Sequence, residues 1–152
     1  MSGPGSHKHA EQRGRILVVF AATPICALAD AIAARLRRHG YQVELGDAST
    51  GGMPPPEDYD AVVLGSLGPH SRSIARYIEH NRIGLAEVPT AMFTRGTWRD
   101  CDTFLRSTGW RPNFTAAFAG DRSDLDRFAD ALAVGLADAA VTHERTEPHV
   151  VH

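Results

Sequence analysis

Three short stretches of the chain carry residue types able to hold a small ligand or do redox chemistry. In AATPIC, Ala21 to Cys26, Thr23 offers a hydroxyl, Pro24 suits the first position of a helix, and the amides of Ile25 and Cys26 fall in its first turn. A helix that directly follows a parallel strand aims free N–H groups and the positive end of its dipole at the sheet's carboxyl edge, an arrangement that suits an anion such as a phosphate. The same dipole can lower the pKa of Cys26 and make its thiol nucleophilic. Helix capping by Thr23 and a buried, inert Cys26 account for these residues equally without a ligand.

The second stretch, GSLGPHS, places Ser66, Leu67, Gly68 and His70 after an apolar run. Glycines there let backbone approach a flat ligand, backbone amides and Ser66 can bond its edge, and His70 can give a proton or stack. The third stretch, TRGTW, holds Thr94, Arg95, Gly96, Thr97 and Trp98. An indole can stack on an aromatic ring system, and the Arg95 cation can stabilise negative charge on a reduced ring or a carboxylate. The alternatives are an ordinary loop histidine at His70 and a tryptophan that packs over the end of the sheet.

The elements that position these stretches alternate along the chain. Ile16 to Phe20 (ILVVF) is the continuous β-prone run of a strand buried on both faces. Leu28, Ile32 and Leu36 recur at helical spacing up to Gly40. Further strands are predicted at Tyr41 to Leu45, Tyr59 to Leu64, Pro89 to Thr94 and Phe114 to Ala119, with a Gly- and Pro-rich loop from Asp47 to Pro56. Helices are predicted to open at Ser71 or Ser73, with Ile74, Tyr77, Ile78 and the stem of Arg82 facing inward, then over Asp100 to Ser107 and Asp124 to Ala140. Trp110, Arg111 and Pro112 lead into the last strand. Strands alternating with helices imply right-handed parallel βαβ units, hence an α/β three-layer sandwich whose five-stranded parallel sheet has the order 2-1-3-4-5. In that order the three stretches converge at one carboxyl edge.

The 152 residues, 43% of them hydrophobic, suffice for one domain, predicted over 14–141 between disordered tails at 1–13 and 142–152. A net charge of −2 gives no basis for nucleic-acid binding, and Arg35, Arg37 and Arg38 on one helix are expected to be a solvated face. Cys26 and Cys101 match no metal-ligand spacing, and five of the eight histidines lie in the tails, so no metal site is expected. Reduced thiols, no apolar run of membrane-spanning length and no signal-like N-terminus point to a cytoplasmic protein.

From Ile16 to about Ala140 the chain resembles the flavodoxin-domain family that includes the menaquinone-dependent protoporphyrinogen oxidases of bacteria. The residues that carry the resemblance are ILVVF with its helix, EDYDAVVLGS (Glu57 to Ser66), VPTAMF (Val88 to Phe93) and FLRSTGWRPNFTAAFAG (Phe104 to Gly120). The last two are the most similar to the oxidase group. The resemblance implies a flavodoxin-like fold that binds FMN at Thr23, Ile25, Cys26, Ser66, Leu67, Gly68, His70, Thr94, Arg95, Gly96, Thr97 and Trp98. It also implies flavin-linked electron transfer or oxidoreductase activity with a redox partner protein. Flavin proteins of the family follow their first strand with a loop of the type S/T-x-T/S-x-G-x-T. The matching stretch here, AATPIC, is about two residues shorter and keeps only the Thr23 hydroxyl. Only about ten residues separate Phe93 from Phe104, where the oxidase group carries a long insertion. A second function therefore stands beside the first: a domain without tight FMN binding that serves as an interaction, small-ligand or thiol-sensing module. A response-regulator receiver shares the strand order, but Phe20-Ala21-Ala22 and Gly65-Ser66 lack the acidic residues such a domain needs.

Overall fold

The computed structural model describes residues 14–21, 23–118 and 126–135, with no side-chain detail at Thr23, Pro24, Cys26 and Phe118. Strand β1 (Gly14–Phe20) leads into helix α1 (Thr23–Arg38), then β2 (Tyr41–Asp47). A 3₁₀ turn (Pro56–Asp58) precedes β3 (Ala61–Leu67), followed by α2 (Arg72–His80) and the short α3 (Arg82–Ala86). Strand β4 (Thr90–Arg95), helix α4 (Trp98–Thr108) and β5 (Phe114–Phe118) come next, and residues 126–135 form α5. The strands are parallel and lie in the order β2-β1-β3-β4-β5, as the sequence predicts.

Strand β1 occupies the middle of its half of the sheet, with Ile16 opposite Val43 of β2 and Ala61 of β3. Its alternate side chains fill two cores. Ile16, Val18 and Phe20 meet Ile25, Leu28, Ile32 and Leu36 of α1 and Leu132 of α5, while Leu17 and Val19 face Ile74, Tyr77 and Ile78 of α2 and Phe104 of α4. Burial on both faces is why ILVVF reads as an unbroken apolar run.

Several boundaries differ from the sequence pattern. Strand β3 starts at Ala61, not Tyr59, and runs on through Gly65 to Leu67, because Ser66 and Leu67 keep pairing with Thr94 and Arg95 of β4. Gly65 is thus inside a strand rather than at its end. A Cβ there would strike the buried Phe93 ring, so the glycine makes room for an aromatic neighbour and not for a ligand. Helix α4 starts at Trp98 instead of Asp100 because Thr97 and Asp100 form a capping box. Arg82 does not face inward from α2. Asn81 breaks that helix, and Arg82 opens α3, exposed, where it pairs with Glu79 and donates to the Thr108 carbonyl. The two ends of the helix predicted over Asp124 to Ala140 and both tails lie outside the described residues.

One surface interaction ties the first helix to the last. Arg35 grips Asp130 with Nε at 2.7 Å and Nη2 at 3.0 Å, and His39 Nε2 lies 2.9 Å from the same carboxylate. Hydrogen bonds from Arg35 and then His39 hold the Asp130 carboxyl well below the usual range. Its stabilising effect is therefore complete above the ordinary aspartate pKa of about 3.9 and is lost as pH falls through the lower folded value. Asp130→Asn is expected to lower stability at about pH 7 and to reduce the further loss on acidification, measured as urea midpoints across the pH range. Gly65→Ala is expected to cost about 1–3 kcal/mol in the same assay, since Phe93 cannot retreat from a filled core.

Candidate functional site

Parallel pairing brings every carboxyl end to one edge. The chain turns outward from β1 towards β2 in one direction and from β3 towards β5 in the other, with α1 and α2 on opposite faces. The crevice between β1 and β3 is therefore the switch point at which open α/β sheets hold their ligands. Ala21, Gly68–Ser71 and Gly96–Thr97 lie in the loops that border it.

Much of the polar chemistry predicted for this edge is turned inward. The Ser66 and Thr94 hydroxyls are fully buried and 3.0 Å apart, on adjacent strands at matched register. Ser66 Oγ also approaches the Gly68 carbonyl at 3.4 Å, and the Gly68 N–H donates to the Arg95 carbonyl at 3.1 Å. At the start of α4, the Thr97 N–H donates to Asp100 Oδ2 at 3.0 Å and Thr97 Oγ1 accepts from the Asp100 N–H at 3.2 Å. Asp100 thus supplies the negative charge that this helix end attracts.

The other two helix ends at this edge are less committed. Neither α1 nor α2 has an acidic residue in its first turn, and the Ser71 side chain makes no capping bond. Ile25 is fully buried among the α1 core residues, so its backbone alone can serve a ligand. Thr23 and Cys26 lie in the first turn of α1, and the roles expected of their side chains fall outside the described structure. The edge presents apolar surface as well. Trp98, first residue of α4, is 60% exposed, and Leu67, last residue of β3, is 37% exposed. Trp98 consequently does not pack over the sheet end, the alternative left open by its sequence position. His70 and Arg95 are exposed, and Arg95 has no ion-pair partner among the described residues.

The structure therefore gathers the second and third stretches at one edge but divides them. Ser66, Thr94, Thr97 and the Gly68 amide hold the loops, whereas Leu67, His70, Arg95 and Trp98 face solvent. Gly96 joins the first group, because a Cβ there would meet the Asp100 carboxylate. The capping role of Asp100 was not singled out from the sequence, although the T-x-x-D spacing signals it.

No protein-family model and no curated protein matches the chain. Solved structures do. A flavodoxin from the domain Archaea covers 83% of this chain with 98% of its own, at 15% identity and a TM-score of 0.60. A short-chain flavodoxin associated with a bacterial microcompartment gives 83% and 98%, 14% identity and 0.61. A CheY-like receiver domain from Methanospirillum hungatei gives 82% and 96%, 16% identity and 0.54. At such identities the likeness concerns the fold, and the chain is a flavodoxin-like α/β domain. Among its described residues no helix is long and apolar enough to cross a membrane, and no three His, Cys, Asp or Glu side chains could hold a metal ion.

Cys101 lies beneath this edge, 1% exposed. Burial pushes its thiol pKa up, opposed by a hydrogen bond with the Thr94 side chain. In a Cys26→Ser variant, whose remaining thiol is Cys101, labelling by Ellman's reagent at neutral pH is expected to be at least about tenfold slower than for a free thiol and to become fast in urea.

Proposed function

We propose that the carboxyl edge between β1, β3 and β4 binds FMN and that the chain acts in flavin-linked electron transfer or oxidoreduction, with a protein redox partner in the cytoplasm. The observation that carries this reading is the exposed indole of Trp98 at the start of α4, on the same edge as exposed Leu67 and the N-terminus of α1, which has no acidic residue in its first turn. FMN, when bound, supplies one- and two-electron chemistry. Trp98 and Leu67 offer apolar surface to a flat ring, and Arg95 offers positive charge for its reduced form. The first-turn amides of α1 at Ile25 and Cys26 offer donors to the phosphate. Resemblance in VPTAMF and FLRSTGWRPNFTAAFAG supports a shortened relative of the protoporphyrinogen oxidase group, with the two residues Gly96 and Thr97 joining β4 to α4.

A second reading, a domain that does not hold FMN tightly and serves as an interaction, small-ligand or thiol-sensing module through Cys26, is favoured by the internal use of Ser66, Thr94, Thr97 and the Gly68 amide. The shortened AATPIC stretch, which keeps only the Thr23 hydroxyl, favours it too, since each charge-assisted bond to a phosphate that is missing lowers affinity by roughly 1.5–3 kcal/mol. Incubation with excess FMN followed by desalting separates the two. Retained visible flavin absorbance and quenched flavin fluorescence are expected, with Trp98→Ala weakening binding about tenfold, or about 1.4 kcal/mol. Colourless protein without quenching overturns the FMN assignment.

A further inference from the structure

The crossing from β2 to β3 leaves an opening against the flank of α2. Instead of a helix, the chain crosses β1 with an irregular segment ending in Pro54, Pro55 and Pro56, and only the 3₁₀ turn forms before β3. Between that segment and α2 lies a cleft of about 460 Å³. Gly51 and Gly52 form its outer wall at φ 76° and 69°, and a Cβ on either would meet nothing within 4 Å. Backbone conformation, rather than lack of space, requires glycine there.

The chemistry of the cleft is one-sided. Arg76 and His80, four residues apart on α2 and so on one face of it, stand on its lining, exposed and without an ion-pair or hydrogen-bond partner among the described residues. Met53 and the buried Tyr77 add apolar surface. The Tyr77 hydroxyl is itself buried without a partner among the described residues. Among these residues no carboxylate lines the cleft; Glu79 of the same helix pairs with Arg82, and Glu57 lies against Gly84. A guanidinium and an imidazole beside an apolar surface, in a volume of the usual small-molecule range, select a ligand with negative charge and an apolar body.

We infer that this cleft binds a small organic anion, a carboxylate or phosphate monoester on a flat apolar body, with its charge at Arg76 and His80 and its body against Tyr77 and Met53. The cleft borders the carboxyl edge through the loop that follows β2, but it shares no residue with Gly68–Ser71 or Gly96–Thr97 and does not rest on flavin binding.

Titration of the full chain with phenyl phosphate and with inorganic phosphate, followed by amide NMR, tests it. Phenyl phosphate is expected to shift the resonances of Gly51, Gly52, Arg76 and His80 and to bind about tenfold more tightly than inorganic phosphate. Arg76→Glu is expected to weaken it by at least about tenfold, and Arg38→Glu on α1 to leave it unchanged, with native circular dichroism in both variants. Binding should persist in excess FMN. Shifts confined to Leu67–His70 and Arg95–Trp98, displacement by FMN, equal affinity for inorganic phosphate, or equal losses in the two variants would each overturn the inference.

Discussion

The double-sided burial of β1 is the constraint on which the rest of the molecule depends. Ile16, Leu17, Val18 and Val19 are almost wholly removed from solvent, two to each face, and each such side chain contributes roughly 1.5–3 kcal/mol on burial. A strand buried in this way needs a partner on each side and a helical or irregular layer above and below. Those demands put β2 and β3 beside it and α1 and α2 on opposite faces, and so create the switch point at the carboxyl edge. A register slip by one residue would exchange the two cores, and their different occupants would no longer fit.

At that edge, rigidity and ligand chemistry compete for the same residues. The Ser66–Thr94 hydroxyl pair joins β3 to β4 in a fully buried position, where an unsatisfied hydroxyl would be costly. The Thr97–Asp100 capping box neutralises one helix end with the protein's own carboxylate. What is left for a ligand is surface: an indole, a leucine, an arginine and the ends of two helices.

The crossover between β2 and β3 shows how a local sequence choice produces a concavity beside it. Glycines and prolines deny the segment a helix, so the flank of α2 facing it stays open and the Arg76 and His80 side chains have no partner among the described residues. The α1–α5 connection is the opposite case, with Arg35 and His39 closing on Asp130. The same residue types thus serve structure on one face and remain available on the other.

Periodicity determined the α/β class, because burial on one or two faces writes itself directly into apolar spacing, and the number of alternating units in this length pointed to the strand order and the place where the loops meet. It also located Leu28, Ile32 and Leu36 on the inner face of α1 and Ile74, Tyr77 and Ile78 on that of α2. Tertiary structure decided which polar residues at the edge are free. Whether Ser66 greets a ligand or Thr94 depends on β3 and β4 pairing two residues beyond the apolar run, and no local pattern encodes that partner. The exposure of Trp98 was settled likewise, by a capping bond that begins α4 two residues early. The cleft beside Arg76 and His80 was illegible for the same reason: it is the gap between segments far apart in sequence, and a gap has no residues of its own to announce it.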